Sequence, residues 1–178
     1  MNIINELYTR IDNENLWDKD ISLDRNDFLS VPGNIETHFY YITSGSLKVY
    51  IVDGDEELII RFGYRNEFIT ALDSFISEKS TDFYIQALKK TTLKAITRTK
   101  YNDFIQKNEA NRSLWYTIME QFVLQQLERE KDILISSPLE RYRRVLKRSP
   151  HLFQEIPHKY IASYLRMSPE TLSRIKKS

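Results

Sequence analysis

Residues 158–178 read HKYIASYLRMSPETLSRIKKS, and their spacing sets the reading of the whole chain. Ala162 is a small residue flanked by Ile161 before it and Leu165 three places after it. Met167 fills an apolar turn position, and Leu172 and Ile175 follow at helical spacing. This is the pattern of two short helices crossing at a tight turn, a helix-turn-helix. Ser168 is placed to cap the second helix and Pro169 to open it. At the turn, where glycine is usual, stands Arg166. A side chain in a left-handed turn costs about 1 kcal/mol, and this one adds a positive charge.

With Leu172 and Ile175 turned inward, the second helix shows Glu170, Thr171, Ser173, Arg174 and Lys177 to its surroundings. Such a helix presents its N-terminal residues to base edges in a major groove. Arg174 can bond guanine bidentately, and Glu170 can accept from a cytosine amino group. Glu170 also reads simply as a first-turn acid that answers the helix dipole. Lys176 and Lys177 suit phosphates.

The segment before this motif points the same way. Ser137-Pro138-Leu139-Glu140 has the form of a capping box with proline at the first helical position. Leu139, Tyr142, Val145 and Leu146 are expected on the inner face, with Arg141, Arg144 and Arg148 on the outer face toward phosphates. Ser149-Pro150 ends the helix. From Pro138 onward there are ten Lys/Arg and three acids, a net +7, while the rest holds 16 basic and 22 acidic residues, a net −6. The overall +1 therefore conceals a basic tail on an acidic body, which suits a polyanionic partner.

Upstream, residues 111–136 form the longest helical pattern. Trp115, Ile118, Met119, Phe122, Val123 and Leu127 recur at three- and four-residue steps. The stripe approaches a heptad seam, so pairing with a second copy is the favoured use and docking on the chain's own body the alternative. Tyr101 to Lys107 reads as a shorter helix.

Before residue 100 the period changes to two. THFYYIT (37–43) is aromatic and β-branched, and Leu47, Val49 and Ile51 alternate with Lys48, Tyr50 and Val52. Asp53-Gly54 predicts a hairpin returning through Glu57 to Phe62. Weaker strands are expected at 67–72, 83–88 and 92–97, after a polar N-terminal helix over residues 1–20 with Ile4, Leu7, Ile11 and Leu16 on one side. Many short strands of this kind indicate an antiparallel barrel or sandwich.

Composition removes other classes. The 178 residues include no cysteine, which excludes disulfides, thiolate metal sites and a cysteine nucleophile. All four glycines lie between 33 and 63, so no glycine-rich phosphate loop exists. No hydrolase elbow or His-Glu-x-x-His motif occurs, and no enzyme activity is expected. His38, His151 and His158 are scattered, so no metal and no cofactor is expected. Asp53, Asp55, Glu56 and Glu57 read as a solvated hairpin tip. Neither a membrane-spanning run nor a signal pattern is read at the N-terminus, and a cytoplasmic location is expected.

The chain as a whole resembles the Crp/Fnr family of bacterial transcription regulators. FYYITSGSLKVYI (39–51) resembles that family's barrel hairpin and SPETLSRI (168–175) its recognition helix. The resemblance implies an α+β architecture. Residues 1–110 would form a jelly-roll (cupin-like) sensor barrel with an N-terminal helix, 111–136 a dimerisation helix, and 137–178 a helix-turn-helix domain. It implies a homodimer reading palindromic double-stranded DNA, with room for RNA polymerase and an unidentified small-molecule effector as further partners. In cyclic-AMP-binding members a glycine–glutamate pair and an arginine–serine pair hold the ribose and phosphate. Here those places hold Thr70 and Ala71, and Thr81 and Asp82, so the effector is not expected to be cyclic AMP. The eight residues between Arg148 and Pro157 are too few for the β-wing often found there, and the recognition helix spans only about two and a half turns. The rival reading is a ligand-binding or protein-interaction module whose helix-turn-helix is vestigial.

Overall fold

The computed structural model describes residues 2–177. Helix α1 (Ile3–Asn13) is capped by Asn2 and buries Leu7 and Ile11. It stops well short of residue 20, because Asn15 takes a left-handed conformation and the chain then enters a strand. Eight strands follow: β1 (Lys19–Leu23), β2 (Phe28–Ser30), β3 (His38–Ser44), β4 (Ser46–Asp53), β5 (Glu56–Tyr64), β6 (Phe68–Ile69), β7 (Tyr84–Ala87) and β8 (Thr91–Thr97). They pair antiparallel in two four-stranded sheets, ordered β1-β8-β3-β6 and β2-β7-β4-β5. This is the anticipated jelly-roll barrel, with β1 and β2 as strands the sequence pattern did not reveal.

The barrel interior is filled by the inward residues of both sheets, Tyr40 and Ile42 from β3 with Leu47 and Val49 from β4 among them. Gly45 links these strands at φ +90, and a Cβ there would stand 2.6 Å from the Lys90 carbonyl oxygen, so only glycine fits. The β4–β5 loop is Gly54-Asp55, with Asp53 and Glu56 paired as the last strand residues.

Two expectations change between β6 and the long helix. The strand expected over 67–72 is only Phe68–Ile69, and the short helix α2 (Leu72–Ser77) follows it. Helix α3 (Arg98–Gln106) begins earlier than the pattern suggested.

Helix α4 (Glu109–Leu134) has 26 residues, about 39 Å at 1.5 Å per residue. It starts before Asn111 because Asn108 is the cap, accepting from Asn111 N at 2.8 Å. Asn111 is buried instead, bonded to Arg10 and to the Phe104 carbonyl. The helix end that carries Leu114 and Trp115 lies on the outer face of the first sheet, with α1 and α3, over Phe39 and Tyr41.

The C-terminal head contains α5 (Pro138–Arg148), α6 (Leu152–Glu155), α7 (His158–Tyr164) and α8 (Pro169–Lys177). It does not stand clear of the barrel. Ile161, Leu165, Val145 and Leu172 share one core with Tyr50, Ile59 and Phe62 of the second sheet and with Leu88 just past β7. The alternation in β4 therefore does not leave one face to water. Lys48 is 2% exposed, its ammonium 4.2 Å from the centre of the Tyr50 ring and 4.9 Å from that of Tyr160, in an ion pair with Glu57.

Candidate nucleic-acid interface

The helix-turn-helix folds as its spacing requires. Ile161, Ala162, Leu165 and Leu172 are buried, and Met167 packs against the same core. Arg166 holds the turn at φ +54, the left-handed conformation anticipated for it. Its N–H donates to Ser163 O at 3.0 Å, so the turn is closed by backbone bonds despite the missing glycine. Ser168 Oγ accepts from Thr171 N at 3.2 Å and caps α8, with Pro169 as its first residue.

The face of α8 is open. Ser168, Pro169, Glu170, Ser173, Arg174, Lys176 and Lys177 are exposed, and Thr171 is half-buried. Arg174 Nη2 reaches Thr171 Oγ1 at 3.4 Å. The Glu170 carboxyl lies below its ordinary range, chiefly through its own backbone N–H and the Ser168 hydroxyl, with Arg174 adding attraction. Lys176 Nζ contacts His158 Nε2 at 2.6 Å, joining the ends of α7 and α8.

The α5 arginines are not where the sequence pattern put them. Arg141 is 8% exposed. Its guanidinium donates to the carbonyls of Leu165 (2.8 Å), Arg166 (2.9 Å), Ile135 (2.6 Å) and Ser136 (3.0 Å). It thus ties the end of α4 to the helix-turn-helix turn, with its donors committed to carbonyls rather than to a phosphate. Arg144 and Arg148 turn back on α4 and pair with the fully buried Asp132, Arg144 reaching Glu128 as well. Among the described residues, the exposed cations of α5 that form no ion pair are Arg143 and Lys147, which the sequence reading passed over. Helical spacing carried that signal, since both lie off the face that holds Arg141 and Val145.

The apolar stripe of α4 is divided. Trp115 meets the Tyr101 and Phe39 rings edge-on at 5.3 and 6.0 Å, and Ile118 packs on the same cluster. These two belong to the chain's own barrel, because its aromatic outer face needs a cover. Met119 and Phe122 line a cavity between barrel and helix. Val123 and Leu127 remain 53% and 48% exposed, beside Leu124 at 62%.

The four cassette positions are bonded within the fold. Thr70 donates to His38 O at 2.9 Å, and Ala71 is fully buried ahead of α2. Thr81 Oγ1 lies 2.9 Å from both Asp73 carboxylate oxygens, and Asp82 is exposed beside it. A phosphate there would meet two carboxylates, and among the described residues no cation forms an ion pair with either.

Among the described residues no cluster of His, Asp and Glu could hold a metal ion, and no helix is long and apolar enough to cross a membrane.

A barrel of this topology, a long helix on its face and a helix-turn-helix head make a recognisable set. The cyclic nucleotide-binding domain model matches residues 20–108, half of the chain, and the chain belongs to that family. Its architecture is that of Crp/Fnr regulators. FixK2 from Bradyrhizobium japonicum superposes with a TM-score of 0.74 at 15% identity, covering 89% of this chain and 82% of that one. The c-di-GMP-responsive global regulator CLP from Xanthomonas campestris gives 0.69 at 16% identity, covering 96% and 90%. The Thermus thermophilus catabolite activator protein gives 0.59 at 19% identity, covering 95% and 81%. No curated protein matches the chain by sequence.

Proposed function

We propose that this chain is a sequence-specific DNA-binding transcription regulator, not an enzyme, which acts in the cytoplasm as a homodimer on a palindromic operator. The observation that carries the reading is the open face of α8, where Glu170 and Arg174 stand exposed on a capped helix over a buried helix-turn-helix core. Two such helices would enter successive major grooves about 34 Å apart. Arg174 and Glu170 read bases, Ser168, Thr171 and Ser173 position the helix, and Lys176, Lys177, Arg143 and Lys147 supply phosphate contacts.

The exposed Val123, Leu124 and Leu127 form the pairing surface of α4, joined by Leu134 at its end. Cyclic AMP is not expected as the effector, a reading supported by the carboxylates of Asp73, bonded to Thr81, and of Asp82 at the cassette. A carboxylate facing a phosphate disfavours its binding.

The test is selection of duplexes from a random DNA pool, with no effector, using the native chain and the Glu170→Ala/Arg174→Ala variant. A palindrome enriched by the native chain and lost in the variant establishes the reading. A protein that binds no duplex at low salt, or enriches the same sequences in both forms, belongs to the rival class of interaction modules.

A further inference from the structure

A cavity of about 280 Å³ opens where α2, α3 and the first turns of α4 meet. It shares only Trp115 with the larger cavity beneath β5 and β6, and none of Thr70, Ala71, Thr81 and Asp82 lines it. Arg98, Tyr101 and Ile105 face it from α3, at steps of three and four residues along one side of that helix.

Two donors at this cavity are unmet. The Tyr101 hydroxyl, on a side chain 1% exposed, has no hydrogen-bond partner among the described residues, and neither has Arg98 Nη1. One turn of α3 separates the two residues, so their side chains leave the same face. Burial holds the Tyr101 hydroxyl well above its ordinary range, and it therefore stays a donor. A buried donor left unmet costs the desolvation of its group, and two at one cavity leave a place for an acceptor.

The charge at the wall decides what kind of acceptor. Arg98 Nη2 lies 3.1 Å from Oε2 of Glu78, whose side chain is 67% exposed. Arg112 donates through Nη1 to Gln106 O at 2.9 Å and forms no ion pair among the described residues. Two guanidiniums against one carboxylate leave the wall at +1. The remaining surface is largely apolar, with Phe75, Ile105 and Trp115 inside and Ile76 and Tyr116 open to solvent at 59% and 65%. Large apolar side chains exposed beside a cavity are the surface that a ligand with an apolar body covers.

We propose that this cavity binds a small aromatic monocarboxylic acid, its carboxylate accepting from Arg98 Nη1 and the Tyr101 hydroxyl and its ring lying among Phe75, Trp115 and Tyr116. A planar carboxylate matches the guanidinium fork, and three aromatic walls suit a ring. The volume lies just below the range of drug-sized pockets, which sets the body at one ring. Both donor atoms are closed to water, so the ligand oxygens reach them through a small rotation of the Arg98 side chain. Its pairing with an exposed glutamate is weak enough to permit that. Once bound, the acid ties α2 to the start of α4. The site shares no residue with the DNA-reading face, and its test contains no DNA, so it stands or falls apart from that reading.

The full-length chain would be titrated calorimetrically with benzoate, with neutral benzyl alcohol and with acetate. The expected result is one benzoate per chain, with the alcohol and acetate each weaker by roughly tenfold or more. Arg98→Met should weaken benzoate roughly tenfold or more, and Tyr101→Phe about fivefold. Tyr101→Phe keeps the ring and is expected to fold, which circular dichroism would verify, so the outcome does not hang on the arginine variant alone. Arg61→Met, in the wall of the larger cavity, should leave the affinity unchanged. No binding of benzoate up to millimolar concentration overturns the proposal. So does equal affinity for the alcohol or for acetate, or an affinity that Arg98→Met and Tyr101→Phe leave unmoved. Loss of binding in Arg61→Met overturns it as well, since benzoate would then sit in the larger cavity.

Discussion

Arg144 Nε lies 2.9 Å from Oδ1 of Asp132, a carboxylate at 0% exposure, while Arg148 takes its other oxygen. One buried anion thus holds two arginines of α5 against α4. Replacing Asp132 by Asn keeps the shape and removes the charge. Breaking a buried pair costs about 3–5 kcal/mol, and the half-exposed arginines here retain water and Glu128. Asp132→Asn should therefore lose roughly 2–3 kcal/mol, read as a lower urea midpoint.

Arg141 and Lys177 have opposite assignments and separable signatures. Lys177→Ala should lower the salt slope of DNA binding by about 0.9, the value for a single phosphate left without its cation, with stability unchanged. Arg141→Met should leave that slope alone and destabilise the head by roughly 2–4 kcal/mol, since four carbonyls lose a charged donor. A change of salt slope in Arg141→Met would restore it as a phosphate ligand.

Glu67 makes stability fall with rising pH. Its folded pKa of about 7 lies above the ordinary value of 4.5, so the native state binds the extra proton between them. The contribution is fully present below pH 4.5 and is lost as pH rises through 7. It amounts to about 3 kcal/mol, at 1.36 kcal/mol per pKa unit. Glu67→Gln should be more stable than the native chain at pH 8 and nearly equal at pH 4.5. Comparing the two proteins cancels His38, whose pKa is lowered by burial and whose pH dependence has the opposite sign.

If α4 pairs as proposed, Leu127→Glu should turn the proposed dimer into a monomer in sedimentation velocity. The residue stands exposed on α4 beside Val123 and Leu124, where a charge cannot be covered by a second copy. Trp115→Glu should instead unfold the barrel, because that ring sits on Phe39 and Tyr101.

Tyr101 is 1% exposed and its hydroxyl has no partner among the described residues. Tyr101→Phe keeps the ring among Phe39, Phe75 and Trp115 and deletes an unsatisfied group. It should raise stability by about 1 kcal/mol, seen as a higher Tm.

The elements that the sequence displayed were those with one dominant local signal. The helix-turn-helix was legible because Ala162, Leu165 and Leu172 follow a spacing dictated by two helices meeting at a fixed angle, and a cap and a proline mark the start of α8. Strands β3, β4 and β5 were legible by period and by the turn glycines. Strands β1 and β2 were not, since β1 buries only Leu23 fully and β2 is three residues long. The roles of Arg141, Arg144 and Arg148 were hidden for another reason. A basic residue on a helix can bond a phosphate, a carboxylate or a carbonyl, and the partners chosen lie up to 25 residues away in the chain. The same holds for Trp115, whose place in a stripe does not say which surface the stripe meets.

The Lys48 ammonium, held between Tyr50 of the barrel and Tyr160 of the head, bears on how such a protein can be engineered. The second sheet of the barrel and the helices of the head share one dry interior. Cutting the chain between them would strip a wall from each fragment and leave aromatic surface prone to aggregation. Barrel and head here are not exchangeable cassettes: a chimera that grafts this head onto a foreign barrel would have to import the face of β4 and β5 with it.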